Sequence, residues 1–306
     1  MNQQLPAKTL IVIAGPTAIG KTAAAIQLAQ QLNTVILSAD SRQFYREMSI
    51  GTAKPSPEEL SAVQHYFINS HSITETFTVA DFEREGLLLL HELFKIRDIV
   101  ILVGGSGLYI KAICEGFDDI PSAPPEIRER LNTEFIENGI EYLQEKLKIA
   151  DPTYFAEVDI QNPQRVIRAL EVFESTGQPF SSFRTSSTNR RPFNIIKIGL
   201  DLSRELLYDR INLRVDDMIQ QGLVDEVKSL VPYKNLNALN TVGYSEIFEY
   251  LNGDITLQTA IDRIKQNTRR FAKRQLTWFR KDKEINWFEA NDLLVGKLND
   301  FLLDKF

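Results

Sequence analysis

The chain has 306 residues, 43% hydrophobic and 25% charged, with a formal net charge of −6. This length suits one large α/β domain or a core carrying a smaller insert, and the composition is ordinary for a soluble globular protein. A single cysteine, Cys114, excludes an internal disulfide and a cysteine-based zinc site; three histidines (His65, His71, His91) argue against a histidine metal cluster, and no apolar run has spanning length.

The first element is a strand at Leu10–Ala14, five apolar residues that suit a buried parallel sheet. It runs into Gly15-Pro16-Thr17-Ala18-Ile19-Gly20-Lys21-Thr22 and then into an alanine-rich helix, Ala23–Leu32. Strand, glycine loop and helix in this order make a P-loop: backbone N–H groups curl around one anion at the positive end of a helix dipole. Lys21 reaches terminal phosphate oxygens, and the Thr22 hydroxyl is the expected ligand of a magnesium ion. The ligand is therefore expected to carry two or more linked phosphates.

A second strand, Thr34–Ser38, ends at Asp40, which the right-handed crossover rule brings to the same sheet edge as the P-loop. Chemistry alone leaves Asp40 open as a helix cap, a magnesium ligand or a general base. Residues 46–80 are polar and contain Pro55 and Pro57, so loops and short helices are expected there. Asp81–Phe94 reads as a helix, and Asp98–Val103 as a third strand ending in Gly104-Gly105-Ser106-Gly107. That turn implies backbone close to a ligand, or a tight structural turn. The strand lacks a terminal carboxylate, which counts against a motor-type ATPase.

From Gly116 the pattern changes to a proline-rich connector and then to helical spacing over Pro125–Asn138, Ile140–Ile149 and Asn162–Ser175. Residues 117–190 are read as a helical insert, leaving 1–116 with 191–306 as a P-loop α/β core with a helical C-terminal region. Asn194–Leu200 returns as a strand and helices dominate afterwards. Gln164-Arg165-Val166-Ile167-Arg168 sets two arginines on one helical face, where Glu171 offers a salt-bridge partner. Between Arg263 and Lys283 nine basic residues accompany one acid, Asp282. There Ile264, Thr268, Phe271, Gln275 and Trp278 form a stripe read as core, with Arg263, Arg270 and Arg274 on another face. The scarcity of acids favours a track for a phosphate backbone over a merely solvated face.

Taken together, GPTAIGKT (15–22), ADSRQFYREMSIGTAKP (39–55), VGGSGLYIKAI (103–113), QRVIRALEVFESTGQP (164–179), NTVGYSEI (240–247) and TRRFAKRQLTWFR (268–280) closely resemble the tRNA dimethylallyltransferases. The resemblance spans nearly the whole chain in order. It implies transfer of a dimethylallyl group from dimethylallyl diphosphate to the N6 amine of the adenosine beside the anticodon of tRNA, with magnesium. It implies that Asp40 is the base, that Lys21 and Ser106 assist, and that the P-loop holds the diphosphate. It further implies tRNA contacts from Asp40, Ser41, Arg42, Gln43, Ser106, Arg128, Gln164 to Arg168, Thr241, Val242, Gly243, Tyr244, Arg270 and Arg274. The family commonly carries threonine where this chain has Ser106, so the hydroxyl is kept. A cytoplasmic monomer that meets tRNA through its anticodon stem-loop, and no membrane, is expected.

Overall fold

The computed structural model describes residues 8–118, 120–184 and 190–305. The chain forms two compact units: residues up to Cys114 together with those from Arg191 onward, and Glu115–Arg190 between them.

In chain order the first unit contains β1 (Thr9–Ala14), α1 (Lys21–Gln31), β2 (Ile36–Ser38), α2 (Pro57–Ala62), β3 (His65–Tyr66), α3 (Val79–Ile96), β4 (Ile99–Gly104) and α4 (Gly107–Glu115). The second unit follows with α5 (Pro125–Ala150), α6 (Pro152–Glu157) and α7 (Pro163–Thr176). The first unit resumes with β5 (Asn194–Asp201), α8 (Arg204–Gln220), α9 (Leu223–Ser229), α10 (Tyr244–Leu251), α11 (Leu257–Phe279), β6 (Asn286–Glu289) and α12 (Leu294–Leu303).

The six strands form one all-parallel sheet in the order β3-β2-β4-β1-β5-β6. Every residue of β1 is buried, as a strand covered on both faces must be. Its alternation sorts two cores: Leu10 and Val12 pack with α3, α9, α10 and α11, whereas Ile11 and Ile13 pack with α1, α8 and α12. With β1 between β4 and β5, the carboxyl ends of three central strands open on one edge, where parallel sheets bind ligands. No helix among the described residues is long and apolar enough to cross a membrane.

The two edge strands correct the sequence reading, which expected only loops and helices there. β3 pairs over two residues and β6 over four, too short and too polar to show as apolar runs. In the second unit α5 is interrupted at Gly139, whose φ of +81° is left-handed, between the two segments expected from periodicity. Leu131, Leu143, Leu147, Val166, Ile167 and Leu170 form that unit's own core.

Candidate active site

β1 delivers the chain into the glycine loop. Gly20, at φ +101°, precedes α1, and no side chain caps that helix, so its first N–H groups are left for an anion. Around the loop the protein supplies fixed partners. The Thr17 N–H donates to Gln275 Oε1 (2.9 Å), and Gln275 Nε2 donates to the Gly105 carbonyl (2.9 Å). One amide on α11 thus ties the P-loop to the glycine turn after β4.

Two arginines on α8 reach the same loop: Arg214 Nη1 donates to Thr17 Oγ1 (3.0 Å) and Arg210 Nη1 to the Ile19 carbonyl (3.3 Å). Sequence reasoning missed both, because they lie four apart in a helix whose acids make a solvated face the ready explanation. The usable signal was positional: α8 follows β5, the neighbour of β1, so its first turns stand at the P-loop edge. Lys21 Nζ donates to the Pro16 carbonyl at 2.7 Å. Burial drives its pKa down from 10.5 to about 7, and Arg214 lowers it further, while Asp40 partly offsets both. Burial likewise lowers Arg214, against the attraction of Asp40 and Glu59. Buried, only partly compensated cations beside uncapped backbone N–H groups suit an anionic ligand.

Thr17, Ala18, Gly20, Lys21 and Thr22 line a cavity of about 430 Å³ that Asp40, Gln43, Arg210, Arg214 and Gln275 also line. Gly15, Pro16 and Ile19 frame the loop from behind; Ile19 is buried. Asp40 follows β2, and its Oδ1 accepts the Arg42 N–H at 2.9 Å. The rest of its carboxylate is available to the cavity. Gln43 is fixed by three bonds: it accepts from Ser38 Oγ (3.2 Å) and donates to the carbonyls of Thr52 (3.3 Å) and Ala53 (3.1 Å). At the far side His65 Nε2 is buried with no hydrogen-bond partner among the described residues.

The glycine turn is explained by close approach within the protein. A Cβ on Gly104 would overlap the Ala39 backbone, one on Gly105 the Gln275 amide, and one on Gly107 the Trp278 indole. Ser106 Oγ accepts the Ser41 N–H at 3.0 Å and so holds the segment that carries Asp40. Ser106 is not among the residues that line the cavity.

On α11 the stripe expected to be core divides. Ile264 and Gln275 are buried, but Phe271 (38% exposed) and Trp278 (42%) are not. The buried face runs through Ala260, Ile264, Ala272, Gln275 and Phe279 instead. Phe271 lines the cavity mouth, with the Arg274 guanidinium 5.7 Å from its ring centre. Arg270 is exposed and donates to Asn267 Oδ1 at 3.3 Å.

Other expected contact residues fall elsewhere. Tyr244 is fully buried and its hydroxyl donates to Glu226 (2.6 Å); Gly243 is buried, while Thr241 and Val242 are partly exposed. Arg128 donates to Glu171 (3.1 Å) and to Gln164 (2.7 Å) inside the helical unit, Arg168 donates to the Pro121 carbonyl (3.2 Å), and Arg165 is exposed. Val166 and Ile167 have no exposed side chain at all, so they cannot meet a ligand as expected: on α7 they fall on the inward face.

Fold and cavity together define a P-loop enzyme in which the glycine loop and a carboxylate line one cavity. The family model described as IPP transferase matches residues 43–282. A tRNA dimethylallyltransferase of Christiangramia forsetii is 56% identical over 283 residues, covering 92% of this chain and 94% of the relative. Another of that name, from Flavobacterium johnsoniae, is 52% identical over 92% of this chain and 93% of its own length. Among solved structures, the full-length tRNA isopentenylpyrophosphate transferase of Bacillus halodurans has a TM-score of 0.72 and 39% identity, covering 97% of this chain and 96% of that one. A eukaryotic dimethylallyltransferase described as acting on tRNA has a TM-score of 0.78 at 26% identity, covering 97% of this chain and 80% of that chain. The chain belongs to the IPP transferase family and is a transferase.

Proposed function

We propose that this protein transfers a dimethylallyl group from dimethylallyl diphosphate to N6 of the adenosine beside the anticodon of tRNA. The observation that carries the reading is the single cavity lined by the P-loop, Arg214 and Asp40. A diphosphate seated on the loop, with Lys21 and Arg214 against it, leaves as an anion when the C1–O bond breaks. The allylic carbon bears positive charge as that bond lengthens, so stabilising the departing oxygens is the main lever. The N6 lone pair is delocalised into the purine ring, and Asp40 takes the N6 proton as the N6–C1 bond forms.

Magnesium fits the donor set. The Thr22 hydroxyl lines the cavity, and the described residues contain no group of three or more His, Cys, Asp or Glu able to cage a metal. This suits an ion held chiefly by substrate phosphates and water. Bound there, it would neutralise charge on the diphosphate, and Thr22 would hold it.

The acceptor base has to leave its stack to reach into the cavity, at a cost of about a few kcal/mol. Phe271 at the mouth and the cations Arg270 and Arg274 beside it suit a nucleotide and its phosphates. The exposed Arg165 and the linked pair Arg128–Gln164 are the further tRNA contacts proposed in the helical unit. The test is incubation with dimethylallyl diphosphate labelled in the prenyl carbon, magnesium and unmodified tRNA, with free AMP as a parallel acceptor. Label in a tRNA adenosine and none in AMP supports the reading; label in AMP alone, or in neither, removes it.

A further inference from the structure

One carboxylate outside the cavity holds an unusual set of donors. Glu226, on α9, accepts the N–H groups of three successive residues, Ser49 (3.0 Å), Ile50 (2.7 Å) and Gly51 (3.0 Å). Its Oε1 also accepts the Tyr244 hydroxyl at 2.6 Å. The Tyr244 ring occupies the space where a Cβ on Gly51 would lie, so this turn of backbone sits directly on the aromatic face. Burial and the neighbouring carboxylate raise the Tyr244 pKa, keeping its hydroxyl a donor.

Ser49 is exposed and Ile50 and Gly51 are partly so, yet all three N–H groups turn to one carboxylate instead of to water. Three consecutive amides converging on one charged acceptor fix the backbone dihedrals between them, and charge-assisted bonds are the stronger kind. What is fixed lies next door: the Thr52 and Ala53 carbonyls that follow are the two acceptors orienting the Gln43 amide in the cavity. Lys54 closes the loop on itself by donating to the Tyr45 carbonyl (2.5 Å) and to Asn69 (2.6 Å).

We propose that Glu226, acting with Tyr244, is a positioning residue of the transfer reaction: it pins Ser49–Gly51 and thereby sets Gln43, and the Asp40 segment before it, for the acceptor base. This rests on the transfer reading above. The P-loop has separate ties through Gln275 and Arg214, so the latch governs the acceptor side of the cavity and leaves diphosphate binding alone.

The variants are Glu226→Gln, which keeps the shape but loses the charge and one acceptor, and Tyr244→Phe, which loses only the hydroxyl. In Glu226→Gln, kcat for prenyl transfer to tRNA falls about a hundredfold, the scale of a misplaced reactant. Its Kd for inorganic diphosphate stays within about twofold of the parent. Tyr244→Phe loses about tenfold in kcat, and the double variant is no more than about twofold worse than Glu226→Gln alone, since both cut one network.

A kcat within about twofold of the parent in Glu226→Gln overturns the proposal, as does a fall in kcat matched by an equal loss of diphosphate affinity. If Glu226→Gln does not fold, Tyr244→Phe decides by the same two criteria. A parent enzyme that prenylates no tRNA removes the functional reading instead. The latch is then judged by hydrogen exchange of the amides of 49–51, about tenfold faster in Tyr244→Phe if it exists and unchanged if it does not.

Discussion

Donor binding should depend on pH through Lys21. Desolvation and Arg214 hold its pKa at about 7 in the free protein, so half the ammonium is already lost at neutral pH. A diphosphate placed against it supplies the missing countercharge and moves the proton affinity back up. Between pH 7 and 9 the donor is already largely ionised, since its last phosphate pKa is about 6. Over that range the charged fraction of Lys21 in the free enzyme falls about fiftyfold, and the observed affinity for dimethylallyl diphosphate should fall with it. Calorimetric titration at pH 8, in two buffers of different ionisation heat, should register an uptake of about 0.9 proton per donor bound. Lys21→Met should bind about ten- to a hundredfold more weakly at pH 7 and lose the pH dependence. An affinity that is flat from pH 7 to 9 in the unaltered enzyme, with no proton uptake, would refute the assignment. The same shift acts on folding: between pH about 7 and 10.5 the unfolded chain holds a proton on this lysine that the folded one lacks, so this group's contribution to stability rises with pH across that window.

Asp40→Asn should lower single-turnover transfer by about a hundred- to ten-thousandfold with tRNA affinity nearly unchanged; retained turnover would remove Asp40 as the base. Gln275→Ala frees the Thr17 N–H and the Gly105 carbonyl, and should weaken diphosphate binding about tenfold in the same calorimetric assay. Arg274→Ala should flatten the slope of log affinity for tRNA against log salt by about one; an unaltered slope would mean this face does not meet phosphate. Ile167→Ala should cost about 2–5 kcal/mol of stability in the helical unit, read by thermal melting, while Arg165→Ala leaves melting unchanged.

What the sequence disclosed, and what it hid, follows from the range of the forces involved. β1, the P-loop and α1 were legible because one short stretch carries the whole device: an apolar run, two glycines and a helix-forming segment. The break at Gly139 was legible for the same reason, in that two separate helical spacings end and begin on either side of it. Arg210 and Arg214 were hidden because their meaning comes from a loop nearly two hundred positions away, with separations of 191 and 197 residues. On α11 the period was right and the expected stripe held only in part. Ile264 and Gln275 are buried as the stripe expected, but Phe271 and Trp278 are not: the core takes the small Ala272 and Phe279 instead, and Gln275 stays inward because the glycine turn and the P-loop approach there and leave a donor and an acceptor to satisfy. In the same way Val166 and Ile167 sit between charged neighbours in a motif but point inward with the helical repeat.

α11 therefore does two jobs with one rigid body. Its 23 residues span about 35 Å, and its faces are specialised at nearly the same height: Gln275 turns inward to the P-loop, while Arg274 and Arg270 turn outward beside Phe271. A helix of this length, buried along Ala260, Ile264, Ala272 and Phe279, holds the cation face and the diphosphate loop in fixed register. For a reaction in which a bound nucleotide must meet a bound diphosphate, that register sets the distance between the two reactants before either arrives. The Glu226 latch complements it on the acceptor side, because it ties down the loop whose carbonyls hold Gln43. The two walls of the cavity are thus held by different means, one by a packed helix and one by a half-buried carboxylate, and only the first is written in a periodic pattern.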